Sequence, residues 1–419
     1  MVAVADDMNT AELNARRLFL LSCIALCVTA MTFAIRAGML IDLGAEFSLK
    51  KEQLGWTAAM AFIGFPAATV IGGLIYNAVG PRLIMNVAFF GHLLGLTLTI
   101  FAGGFWGLII STFFVGFANG AVEAACNPMI ATMYSKNKTT MLNKFHVWFP
   151  GGIVVGSLAA LAVKQVFGGA GQPTWQLEIA IMIIPTLVYG WMVFTTKFPD
   201  VTQDRSDQTD TGKNLKAMIS PLFLLIAVLM TITATTELGT QQWVGSLLES
   251  SGANPLIILA IVTGLMAVGR YFAGPLVHAI NPIGVLLFSA VVTTIGVFLL
   301  SIATGGLVYL AAIVFAIGVC YFWPTMFGFI SEYMPDTGAL GMSIVGGAGM
   351  LGLSAWTPVI GGWIDTATAK AQAAGLDETA VTLAAGQDTL SKILVFPIIL
   401  IVCYLGLYLL RGRIAAKAV

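Results

Sequence analysis

Along nearly its whole length the chain is a succession of uninterrupted apolar runs of about twenty residues or more, separated by short polar or Gly/Pro-containing punctuation. In hydrocarbon every backbone N–H and C=O must be satisfied within the fold, so runs of this kind become membrane-spanning helices. A β-barrel is excluded, because the apolar residues are contiguous and do not alternate with period two. Composition agrees: 10% of the 419 residues are charged and 58% are apolar, where a soluble domain carries about 25% charged residues. The net charge is zero with no dense basic stretch, which excludes nucleic acid as a partner. Cys23, Cys27, Cys126, Cys320 and Cys403 all lie inside apolar runs and read as buried small hydrophobes, neither disulfide-bonded nor metal-binding. The polar, mildly acidic start is followed by a run too long for a signal peptide, so the first run is expected to stay as a span.

Apolar runs read against turn and charge punctuation give twelve spans, at 18–42, 54–77, 83–103, 105–134, 145–167, 176–196, 218–248, 254–279, 283–304, 306–333, 339–366 and 389–410. The most polar segment lies between the sixth and seventh and divides the chain into an N-terminal half (1–196), a linker (197–217) and a C-terminal half (218–419). Placing the N-terminus inside collects thirteen Lys/Arg on the cytoplasmic side against five outside, which puts both termini in the cytoplasm and both linker ends with them. The last external loop, 366–388, is alanine-rich and suits a short surface helix. Internal repetition supports two halves. Gly73-Leu-Ile-Tyr-Asn-Ala-Val-Gly-Pro81 lies over Gly274-Pro-Leu-Val-His-Ala-Ile-Asn-Pro282 at an offset of 201, and an offset of 196 puts Pro128 over Pro324 and Gly151 over Gly347. The expected fold is therefore an all-α integral membrane protein of twelve transmembrane helices in two parallel six-helix halves. That arrangement resembles the major facilitator fold, in which one half rocks against the other about a central site.

An ionisable side chain at the bilayer centre costs at least about 2.5–3.5 kcal/mol, so such residues face a cavity and a partner. Four stand well inside the spans: Arg36, Glu123, Glu237 and Arg270. Glu123 has Asn119 four residues before it and Asn127 four after, a spacing that predicts one polar face lining a cavity. Pro128 removes a backbone hydrogen bond beside it. A carboxylate in such a setting can bind and release a proton near neutral pH, as a proton-coupled carrier requires; a purely structural role pinning neighbouring helices is the competing reading. Arg36 and Glu237 lie toward the outer ends of spans one and seven, which are equivalent in the two halves. An ion pair between them would be structural or would form an outer gate, and an Arg36 that binds an anionic substrate is the third alternative. Arg270 sits near the cytoplasmic end of span eight, where it serves the inner gate or anchors structure by snorkelling. Arg82 is a cytoplasmic positive-inside residue or a contact between halves.

Span five opens with Leu142-Asn143-Lys-Phe-His146-Val-Trp-Phe-Pro-Gly-Gly152. Its Gly152 and Gly156 permit close helix approach, and Asn143 and His146 are candidates to face the cavity, with a satisfied polar contact as the competing role for His146. His92 and His278 read as structural. Gln241, Gln242, Trp243 and Trp323 combine amides with deep aromatic rings, the mixture that stacks on a sugar ring and reads its hydroxyls, although other polar solutes satisfy the same inventory.

Together, Glu123-Ala-Ala-Cys-Asn127-Pro128, Leu142-Asn143 with Gly152, and Gly269-Arg270-Tyr-Phe-Ala-Gly274 resemble the fucose:proton symporter (FHS) family of the major facilitator superfamily, which carries L-fucose, glucose or galactose. The resemblance implies that Glu123 corresponds to that family's span-four acid, which serves substrate binding and proton coupling. The chain departs from the family at two places. Ala37, beside Arg36, stands where bacterial fucose carriers have an Asp, and His146 and Phe149 stand in place of a Gln-x-x-Asn pair.

The reading that emerges is a secondary active transporter working by alternating access in the cell inner membrane, not an enzyme. Its expected cargo is a monosaccharide or related polar solute, moved by symport with a coupled cation and without a further cofactor. The coupling ion is left open between a proton carried by Glu123 or Glu237, Na⁺, and none. The alternative is a carrier or exporter of an organic anion or drug-like solute with Arg36 in its site; a sensor that binds without flux is a third class. No Gly-x-x-x-x-Gly-Lys-Ser/Thr loop occurs, so no nucleotide is hydrolysed. The lipid bilayer and one small solute are the expected partners of a monomer.

Overall fold

The computed structural model describes residues 2–169, 174–200, 210–241 and 255–418, and among these the regular structure is helical, without a strand. Ten helical stretches are long and apolar enough to cross a membrane, and the shorter apolar helix Ile257–Tyr271 joins them. One of the ten, Gln53–Ile100, has 48 residues and is two helices meeting at Gly80. Taken as two spans, and with Ile257–Tyr271 joined to the start of the similarly kinked Ala273–Ile302, it leaves the described helices compatible with twelve spans.

Gly80 has φ 72° and ψ 169°, and Asn281, which the offset of 201 superposes on it, has φ 56° and ψ 169°. Each precedes a proline, which forces extended ψ on the residue before it. The positive φ selects Gly in one half and Asn, the non-glycine residue that best tolerates this region, in the other. Asn281 adds its own restraint: its Oδ1 accepts the Gly284 N–H at 3.1 Å and caps the helix that follows.

Five spans are interrupted part-way, and in each the helix stops four or five residues before a proline. Helices end at His146, Ala180, Tyr271, Val319 and Ile393, ahead of Pro150, Pro185, Pro275, Pro324 and Pro397. A proline lacks the N–H that would bond the carbonyl four residues upstream, and its ring crowds that carbonyl. The ladder therefore opens at that point, whereas Pro66, Pro128 and Pro358 sit inside helices that continue past them.

The external loop expected at 366–388 is shorter than the sequence suggested. Helix Gly338–Ala373 runs on through the alanine-rich stretch, Gly375 (φ 75°) turns the chain, and helix Glu378–Ile393 begins under an Asp377 cap whose Oδ1 accepts the Ala380 N–H at 2.8 Å.

The chain forms two compact units, residues 1–219 with 336–347 and residues 220–335 with 348–419. In the first, helices Lys51–Ile100 and Phe105–Met133 touch backbone to backbone: a Cβ on Gly116 or Gly120 would run into the Ala61 or Phe65 carbonyl. Gly152 and Gly156 similarly admit Cys27 and Met31 of the first helix, the close approach that small residues permit where no hydrophobic force separates helix from lipid. In the same unit the linker forms helix Thr211–Ala217, capped by Asp210. Its fully buried Asn214 accepts from Asn77 Nδ2 at 2.9 Å and donates to the Asp336 carbonyl at 2.6 Å. Close by, Gly73 packs against Ser343 and Leu340, and Gly347 against Thr69. In the second unit, Gly296 and Gly318 perform the corresponding function between helices Ala273–Ile302 and Leu307–Val319, against Phe315 and Thr293.

Candidate functional site

Helix Phe105–Met133 carries Glu123 and Asn127 one turn apart, and helix Lys138–His146 brings His146 to them. All three side chains are buried. Asn127 Nδ2 donates to Glu123 Oε2, Asn127 Oδ1 lies 3.1 Å from His146 Nε2, and the same imidazole nitrogen is 3.8 Å from Glu123 Oε2. The helix that presents His146 stops there because Pro150 offers no N–H to its carbonyl. Asn143, one turn earlier, is fully buried and donates from Nδ2 to the Thr139 carbonyl at 3.0 Å. The arrangement couples a carboxylate to an imidazole through an amide, which supplies both a proton site and groups able to accept and donate to hydroxyls.

Asn119 belongs to a different network. Its Nδ2 donates to Thr32 Oγ1 at 2.9 Å, its Oδ1 lies 2.8 Å from His92 Nε2, and His92 Nδ1 is 2.8 Å from the Tyr189 hydroxyl. The expected continuous face of Asn119, Glu123 and Asn127 is thus divided. Asn119 ties four helices together, and His92 is structural alongside it. The same unit carries half-buried aromatic rings, of which the sequence reading had singled out only Phe149. Phe33 contacts Phe62 and Phe149, each with centroids 5.9 Å apart, and Phe149 lies one turn beyond His146.

In the second unit Glu237 stands within Thr235–Gly239, a π-helical turn that interrupts its span; such bulges recur at functional sites. Its Oε1 is 2.7 Å from Arg270 Nη2, and Arg270 Nε donates to the Cys320 carbonyl at 2.7 Å. That carbonyl is available because Pro324, four residues on, cannot bond to it. The partner of Glu237 is therefore Arg270, in place of the Arg36 expected from the symmetry of spans one and seven. With 1% of its side chain exposed, Arg270 does not snorkel. Trp323 meets Phe327 edge-on at 6.0 Å and packs over Gly349, while Gln241 donates to Met266 Sδ at 3.3 Å. Gln242 and Trp243 lie outside the described residues. Arg82 donates to the Phe194 carbonyl at 3.3 Å, within the first unit.

Arg36 is placed differently from the other three intramembrane charges. Its Nη2 reaches only the Ala58 carbonyl, at 3.5 Å, and its Nη1 is buried without a hydrogen-bond partner.

Residues 21–368 match the family profile described as Major Facilitator Superfamily. The chain belongs to the major facilitator superfamily. The family is one of multi-pass membrane transporters, not of enzymes. Among solved structures the chain is similar to the proton:xylose symporter XylE bound to 6-bromo-6-deoxy-D-glucose, at 14% identity and TM-score 0.74 over 93% of this chain and 96% of that one. It is also similar to the Escherichia coli fucose:proton symporter FucP, at 15% identity and TM-score 0.69 over 91% and 98%. Curated relatives match over shorter stretches. The facilitated glucose transporter member 10 of Danio rerio is 27% identical over 37% of this chain, and the sphingosine-1-phosphate transporter SPNS2 of Mus musculus is 25% identical over 44%. The matched regions amount to only 29% and 33% of those relatives' length.

Proposed function

We propose that this superfamily member is a proton-coupled symporter of a monosaccharide-type polar solute, with Glu123 as the coupling acid. The reading places the protein in the cell inner membrane with both termini cytoplasmic, as the Lys/Arg bias requires. The observation that supports it most is the contrast between the two intramembrane acids. Glu237 is held by the guanidinium of Arg270, whereas Glu123 lies against an amide and against an imidazole that can itself take up or release a proton, a setting in which a carboxyl group can exchange one. Asn127 and His146 beside it, and the rings of Phe33 and Phe149, supply hydrogen-bonding and stacking groups for a hydroxylated ring. The names of the neighbours XylE and FucP, both proton:sugar symporters, and the motif resemblance to the fucose:proton symporter family point the same way. The test is Glu123→Gln in proteoliposomes. Concentrative uptake driven by a proton gradient should be abolished while solute exchange at equal concentrations persists; full accumulation by the variant would overturn the assignment.

A further inference from the structure

Burial of a guanidinium requires that its five N–H donors find acceptors. Arg270 has Glu237 and the Cys320 carbonyl among its acceptors. Arg36 is not so supplied. It makes one long contact, to the Ala58 carbonyl at 3.5 Å, and its Nη1 is sealed from solvent with no acceptor. Among the described residues no carboxylate forms an ion pair with it. The neighbouring residue is Ala37, so the next position along the helix carries no anion.

The surroundings of Arg36 lead toward the Glu123 cluster. Phe33 lies one helical turn before it and contacts both Phe62, one turn beyond Ala58, and Phe149, one turn beyond His146. These rings are half-buried, as are those that line a partly open surface. A cation without a counter-ion at one end, aromatic faces between, and a carboxylate–amide–imidazole group at the other form a recognition sequence for a molecule with a matching polarity: an anionic group, an apolar ring face and hydroxyls.

We propose that Arg36 is the receptor for a carboxylate on the transported solute, so that the preferred cargo is a hydroxylated carboxylic acid of the sugar-acid class, not a neutral sugar. This inference rests on the reading of the Glu123 cluster as the hydroxyl-binding part of the same site. A planar guanidinium pairs with a carboxylate through two parallel hydrogen bonds, and the arriving anion supplies the acceptor that Nη1 lacks. Binding would thus be strongest for a solute that neutralises Arg36 at one end while its hydroxyls engage Asn127 and His146 at the other.

The experiment is thermal stabilisation of the purified, full-length protein by glucuronate, by its uncharged methyl ester and by glucose, repeated on Arg36→Gln and Arg36→Lys. A ligand of the folded state raises its stability in proportion to the logarithm of its concentration over Kd, so apparent affinities can be ranked. Glucuronate is expected to bind at least about tenfold more tightly than the ester, since charge-assisted bonds are roughly twice as strong as neutral ones. Arg36→Gln should erase that preference while leaving any response to glucose, and Arg36→Lys should keep part of it. Equal binding of acid, ester and glucose would overturn the inference and leave the sugar reading standing. An acid preference that survives in Arg36→Gln would overturn the role of Arg36. Stabilisation by simple carboxylates such as acetate, with glucuronate no better, would overturn the hydroxyl-reading role of the Glu123 cluster and the sugar-acid class with it. Silence toward all three sugars and acids would overturn both. The ligand-free melting temperature of each variant separates misfolding from lost recognition.

Discussion

At the scale of single residues, the four intramembrane charges divide by what each is given to bind. Glu237 and Arg270 form a buried ion pair inside the second unit, and a pair of this kind costs far more to break than to replace. Glu237→Gln or Arg270→Met alone should each lower stability by about 3–5 kcal/mol, because the remaining charge is stranded. The double variant should recover much of that loss, giving a strongly non-additive cycle in thermal unfolding, and additive effects would show that the pair is not energetically coupled. Local spacing made part of this legible: the contact of Asn127 with Glu123 follows from their separation of four residues. The same reasoning misplaced Asn119. Residues eight apart on a helix point about 80° from each other, enough for Asn119 to face Thr32 and His92 while Asn127 faces His146. The Arg270–Glu237 pair was not legible, because it depends on a carbonyl released by Pro324 and on a π turn, neither of which fixes a partner until the helices are packed.

At the scale of elements, the prolines decide where the spans break, and most of those breaks could have been read from the chain by counting back four or five residues. The repeat correctly singled out Gly80-Pro81 and Asn281-Pro282, whose matching backbone angles show that the two halves keep a common turn with different residues. The linker was read as polar and connecting, and polarity alone did not reveal that helix Thr211–Ala217 docks through a buried asparagine. Asn214 joins Asn77 of one helix to the Asp336 carbonyl just ahead of another, so it fastens residues 336–347 within the first unit. Asn214→Ala should loosen that attachment. In a background carrying Ser343→Cys, whose parent serine is buried at 4% exposure, thiol alkylation should become several-fold faster when Asn214 is also replaced. An unchanged rate would mean that the glycine-mediated packing of Gly73 and Gly347 holds the segment alone.

At the scale of the whole molecule, membrane class and superfamily architecture were contained in the length and continuity of the apolar runs, since hydrocarbon leaves the backbone few alternatives. Cargo and coupling depend on a handful of side chains whose partners are distant in sequence, which is why the sequence alone names no solute. The central claim is that Glu123 couples solute movement to a proton. The most direct measurement is internal pH in dye-loaded proteoliposomes at clamped potential when solute is added outside, with glucose and glucuronate as the added solutes. The account predicts acidification of the lumen by the transported solute in the native protein and none in Glu123→Gln. Solute entry by the native protein with no change in internal pH would contradict it.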